Sequence, residues 1–111
     1  MTDCQVKKCQ APTISVEDEK QEQELASLAK AISHPARIRI LKVLLELELK
    51  GGCLNGVLVG QLGLAQSTVS EHLRILREAG LVRSEPQPPK VCYRIEMPAM
   101  KRIQHLLDSL F

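Results

Sequence analysis

Residues 62–76 read Leu-Gly-Leu-Ala-Gln-Ser-Thr-Val-Ser-Glu-His-Leu-Arg-Ile-Leu, and they restrict the fold more than any other part of the chain. A short helix that stops at Gly63 is followed at once by a second helix, whose head carries small hydroxyl and amide side chains. Val69, Leu73 and Leu76 recur at helical spacing, so one face of that second helix turns inward. Gln66, Ser67, Thr68, Ser70 and His72 are short or compact groups that donate and accept hydrogen bonds, which is what base edges in a major groove require. Two helices around a tight turn, the second polar at its start, is the sequence form of a helix-turn-helix whose second helix enters the groove N-terminus first. An ordinary amphipathic helix with a polar start would read the same way, so the flanking segments carry the decision.

Residues 1–15 show no apolar period and contain Pro12, which predicts a flexible cysteine-bearing tail ahead of one domain over residues 16–111. A first helix is expected from Ser15 or Val16 to Ile32, with Leu25, Leu28, Ala29 and Ile32 on one stripe. Ser33-His34-Pro35 breaks it and starts a second helix, since proline at the first turn loses no hydrogen bond. That helix is expected to turn Ile38, Leu41, Leu44, Leu45 and either Leu47 or Leu49 inward before Gly51-Gly52 stops it. Asn55 can cap a third helix running to about Leu62. The second helix of the turn motif ends at Gly80, a left-handed cap residue. Leu81–Ser84 and Val91–Ile95 alternate as short strands around residues 85–90, a hairpin. Pro98 opens a last helix with Ile103, Leu106, Leu107 and Leu110 apolar. The expected fold is mainly α with a two-stranded β wing, a winged helix-turn-helix.

Composition removes several function classes. Tyr93 and Phe111 are the only aromatic residues, so stacking platforms for single-stranded nucleic acid are not expected. No apolar run approaches the roughly 20 residues of a membrane span, and Met1–Cys9 lacks the apolar core of a signal peptide. A cytoplasmic protein with reduced cysteines is therefore expected. No nucleophile–base pair or catalytic metal constellation appears, which argues against an enzyme. From His34 to Arg102 there are eleven Lys and Arg against six acids, a basic surplus around the turn motif that suits phosphate contacts. Glu17, Asp18, Glu19, Glu22 and Glu24 make an acidic run that a solvated helix face explains.

Three further stretches carry a family resemblance. Ser33-His34-Pro35-Ala36-Arg37-Ile38-Arg39-Ile40-Leu41, Gln66–Leu73 and Glu78-Ala79-Gly80-Leu81-Val82, in this order, resemble the ArsR/SmtB family of metal-sensing repressors over roughly residues 20–110. The resemblance implies a homodimer paired through its first and last helices, bound to palindromic operator DNA and released when an inducer binds. It places DNA contacts on Gln66, Ser67, Thr68, Ser70, Glu71, His72 and Arg74, with Lys90 and Arg94 meeting phosphates beside the wing. By their chemistry Gln66, Ser67, Thr68 and Ser70 are the base-edge candidates, Arg74 suits a phosphate, and His72 either bonds DNA or covers the turn. Pro86, Pro88 and Pro89 stand where the family commonly has a Gly-Arg hairpin, and Ala65 replaces its usual capping hydroxyl.

The cysteines bear on what is sensed. Lys7 and Lys8 precede Cys9, and Cys53 lies near Lys50 and a helix start, surroundings that favour thiolate. One arsenic-responsive branch of the family resembles this arrangement, which implies Cys4, Cys9 and Cys53 as ligands of As(III) or a similar trivalent metalloid, with no organic cofactor. Cys4 and Cys9 would point about 140° apart on a regular helix, so the tail would have to loop. Cys92 reads as a small buried strand residue, and a metal role for His105 with Asp108 is disfavoured. Three functions stay open: a repressor released by As(III), a DNA-binding repressor switched by thiol oxidation or persulfide, and a winged-helix module that binds protein. In the first, inducer would pin the tail to the helix-turn-helix and spoil the spacing of about 34 Å between paired recognition helices.

Overall fold

The structure, a computed structural model, describes residues 10–111, the side chains of Val57 and Leu58 excepted. Helix α1 (Val16–Ala31) starts at a reciprocal cap: Ser15 Oγ accepts from the Asp18 N–H at 3.0 Å, and Asp18 Oδ2 accepts from the Ser15 N–H at 3.2 Å. Glu17, Asp18 and Glu19 stand in its first turn, where the helix dipole favours negative charge. Part of the acidic run thus has a structural use.

Helix α2 (Pro35–Leu49) begins at His34, whose Nδ1 accepts from the Ala36 N–H at 3.0 Å. Helix α3 (Gly56–Val59) runs into a 3-10 turn (Gly60–Leu62), and Gly63, at φ 71°, swings the chain into α4 (Gln66–Glu78). A side chain would strain that left-handed position. Past α4, the Leu81 N–H returns to the Leu76 carbonyl at 3.0 Å and the Gly80 N–H to that of Arg77 at 3.0 Å, with Gly80 at φ 79°. This pair of hydrogen bonds closes the helix and carries Leu81 into the core beside Leu76.

Strands β1 (Val82–Gln87) and β2 (Lys90–Ile95) pair antiparallel from Val82 opposite Ile95 to Gln87 opposite Lys90. The wing is longer than its sequence suggested, because Pro86 is accommodated opposite Val91. Pro86 lies on β1, whose outer edge pairs with no strand among the described residues, so a missing N–H on that side breaks no ladder bond. Helix α5 (Met97–Leu110) follows.

Ile40, Leu44, Leu54, Leu76, Leu81, Ile95 and Leu106 are wholly enclosed. Burying each removes apolar surface worth about 1.5–3 kcal/mol from water. One expectation for α2 needs correction: Ile38 is 48% exposed, while Ile40, which had not been placed inside, is fully buried. Of the two alternatives at its end, Leu47 packs against the core and Leu49 is 89% exposed. On α5, Ile103 and Leu106 are buried but Leu107 is 44% exposed. On α1 only Ala31 is buried, and Leu25, Leu28 and Ile32 are half covered. Arg102 joins the two helices by a two-pronged contact with Glu24, 2.7 Å on each side.

Candidate nucleic-acid interface and thiol pair

Val69, Leu73 and Leu76 anchor α4 in the core. Gln66, Ser67, Thr68, Ser70, Glu71 and Arg74 are all exposed on its other side. Ala65 offers no side-chain cap, so the first N–H groups of α4 stay open to an anionic acceptor. Gln66, Ser70 and Lys90 share a cleft of about 220 Å³ between α4 and the wing, floored by Val59, Val69 and Leu73. Three of the residues expected to touch DNA are thereby gathered on one edge.

Other expected residues are otherwise engaged. Arg74 pairs with both Glu71 and Glu78 along α4, its Nη1 lying 2.9 Å from Glu78 Oε1. These hydrogen bonds hold the Arg74 pKa above its usual value and the Glu71 carboxyl below its own. Arg74 must therefore leave two carboxylates before it can take a phosphate. Arg94 is engaged as well. Its Nη2 and Nε reach Glu48 Oε2 at 2.7 and 3.1 Å, and Glu85 lies 3.9 Å from Nη1, so the side chain braces the wing against the end of α2. Arg83 is likewise spoken for, by Glu85 and Glu96. Lys90 has no ion pair among the described residues.

Arg77 was not singled out from the sequence. It is exposed, unpaired among the described residues, and eleven positions after Gln66, close to three turns, so it continues the Gln66–Ser70 stripe. That periodicity was available in the sequence.

His72 is not on the exposed face. It is only 7% exposed, its ring 4.5 Å from that of His34, and neither of its nitrogens has a hydrogen-bond partner among the described residues. Burial, followed by the charges of His34 and Arg37, pushes its pKa down, so it sits neutral under the turn. Three positions after Val69 and four before Leu76, His72 falls on the inward face of α4 by helical period, whatever its chemistry.

The cysteines were expected to be reduced, with Cys53 turned toward Cys4 and Cys9. Instead Cys53 and Cys92 form a disulfide, their Cα atoms 5.7 Å apart. The cause is local: Leu54 and Tyr93 exchange two backbone hydrogen bonds of 3.0 and 2.9 Å, which sets the segment before α3 against β2. Cys92 is buried, as anticipated, but its partner was invisible in a strand pattern. Cys4 and Cys9 lie outside the described residues. Among the described residues no group of three His, Cys, Asp or Glu side chains is placed to hold a metal ion. No helix among them is long and apolar enough to cross a membrane.

Residues 34–84, from the start of α2 into β1, match the bacterial regulatory protein family arsR. The chain is 33% identical over 101 residues to the biofilm growth-associated repressor of Xylella fastidiosa, covering 90% of this chain and 85% of that protein. It is 35% identical over 101 residues to the transcriptional activator HlyU of Vibrio cholerae, covering 91% and 90%. The solved structure of reduced HlyU from Vibrio cholerae superposes with a TM-score of 0.67 at 33% identity, over 86% of this chain and 96% of that one. With a winged helix-turn-helix in place and relatives matched over nearly their whole length, the chain belongs to the ArsR family of bacterial DNA-binding transcription regulators and is not an enzyme.

Proposed function

We propose that this regulator is a repressor that binds a duplex operator as a homodimer and changes its hold on DNA when its thiols change state. The observation that carries the reading is the Cys53–Cys92 pair, which links the entry of the helix-turn-helix to the wing. Gln66, Ser67, Thr68 and Ser70 read base edges, while Lys90 and Arg77 meet phosphates. The half-covered stripe of α1 and the exposed Leu107 of α5 supply an apolar surface for pairing two copies. In the switch, the Cys53 and Cys92 thiols lose two protons and two electrons to a cellular disulfide or hydroperoxide and form one S–S bond. Closing it ties β2 to the segment feeding α3; opening it leaves the wing held by the Arg94–Glu48 pair and the Leu54–Tyr93 bridge. Support also comes from two relatives, one described as a repressor and one whose solved form is described as reduced.

A metalloid inducer is the second reading. In the reduced protein Cys53 and Cys92 present two soft sulfurs side by side, a donor set that fits As(III), and Cys4 or Cys9 would supply a third.

Binding of the protein to its own upstream DNA, at stated salt, tests both readings. We expect reduced and oxidised protein to differ in affinity by about tenfold or more, the range of ordinary coupling between sites, and Cys92→Ser to abolish the difference. Arsenite that releases reduced wild-type protein but not Cys4→Ser or Cys9→Ser would establish the metalloid reading. Equal affinity in every state would sink both.

A further inference from the structure

A second cleft, of about 460 Å³, opens behind the recognition helix, away from the thiol pair. Its walls come from the end of α1, the start of α2 and the end of α4. Ala31, Ile75 and Ala79 give it an apolar floor, while Lys30 and Arg37 bring two positive charges. Glu78 also lines it, but Arg74 already engages that carboxylate from the outer side of α4 at 2.9 Å. Neither Lys30 nor Arg37 pairs with a carboxylate among the described residues.

Arg37 is the unusual member. Its Nε is buried and has no acceptor among the described residues, a donor left incomplete where nearly all buried donors are satisfied. Arg37 also stands close enough to His72 to act on it electrostatically, and His72 offers it no hydrogen bond. The region therefore holds unanswered donors and positive charge beside a space of ligand size.

We propose that this cleft binds a small organic carboxylate with a compact apolar body, its carboxylate on Arg37 and Lys30 and its body on Ala31, Ile75 and Ala79. A guanidinium and a carboxylate make paired, charge-assisted hydrogen bonds, and no carboxylate among the described residues already takes those of Arg37. The apolar floor adds area that a bare inorganic anion cannot use. Because α1, α2 and α4 all line the cleft, its occupant touches the helix that meets DNA. The proposal does not depend on the thiol reading.

The test uses the full-length reduced protein, with backbone amide NMR shifts followed during titration with benzoate. Benzamide, its neutral counterpart, and inorganic phosphate are the comparison probes. Benzoate is expected to move the amides of Ala31, Ser33, Ile75 and Ala79 saturably, and benzamide and phosphate to bind at least about tenfold more weakly. Arg37→Gln should lower benzoate affinity about tenfold or more, and Lys30→Gln, an exposed position, about threefold. Ala79→Leu, which fills the cleft and removes no charge, should also abolish binding. Absence of saturable shifts with benzoate, equal binding of benzamide or phosphate, or wild-type affinity in Lys30→Gln and Ala79→Leu would overturn the proposal, even if Arg37→Gln does not fold.

Discussion

Helix α4 buries Val69, Leu73 and Leu76 and leaves Gln66, Ser67, Thr68 and Ser70 exposed, whereas the wing turns most of its charge back on the protein. Arg83 and Arg94 are held by Glu85, Glu96 and Glu48, and Cys92 is tied to Cys53, so among the described residues Lys90 is the wing cation left without an ion pair. Both elements carry residues of the proposed DNA-contacting edge, yet they differ in what holds them. A helix can divide the tasks by face, because its 3.6-residue period separates anchors from readers. A hairpin of two six-residue strands buries Val82 and Ile95 at its base and relies beyond that on ion pairs and a covalent link.

The largest effect expected from this contrast is on stability. Leu76→Ala, at a wholly enclosed position, should lower unfolding free energy by about 2–5 kcal/mol in chemical denaturation, whereas Val91→Ala on the wing should change it by less than about 0.5 kcal/mol. Comparable losses would mean that the wing is as much core as α4. For DNA, Gln66→Ala should reduce discrimination against mismatched operators by about 1–3 kcal/mol. Lys90→Gln should instead weaken every duplex alike and lower the salt slope by about 1. Arg94→Gln sharpens the point: the side chain is engaged by Glu48, so the salt slope should stay unchanged while stability falls by at most about 1 kcal/mol. A reduced slope would place Arg94 on phosphate after all.

The smallest effect concerns pH. The His72 pKa is lowered in the fold by burial first and by His34 and Arg37 next, with Glu71 opposing. The unfolded chain therefore binds more protons at this residue once the pH falls below its ordinary value of 6.5. Stability from this residue is present above that value and lost as the pH drops toward the folded-state pKa. His72→Leu should flatten the decline seen in thermal melts between neutrality and mild acid, without lowering stability at pH 8. An unchanged slope would place the responsible proton elsewhere.

Much of the architecture was legible in the sequence because it rests on local chemistry. Val69, Leu73 and Leu76 fix the inward face of α4 by period alone, and Pro35, Gly63 and Gly80 mark boundaries where backbone geometry permits few alternatives. Arg77 could have been found by the same period. The misreadings have a different origin. Ile38 and Ile40 are equally apolar, and which one is buried depends on how α2 is rotated against its neighbours. For His72 both a DNA contact and a place over the turn had been open, and its position on the inward face of α4 puts it under the turn beside His34.

By itself the sequence determined the order of helices, the turn between α3 and α4, and the polar head offered to DNA, since all of these follow from interactions between residues a few positions apart. The tertiary structure decided which charges remain free and which thiols meet. Arg94 finds Glu48 and Cys53 finds Cys92 across some forty residues of chain, through the Leu54–Tyr93 bridge. Contacts of that span depend on how β2 is laid against the end of α2, and no local pattern of residues records that placement.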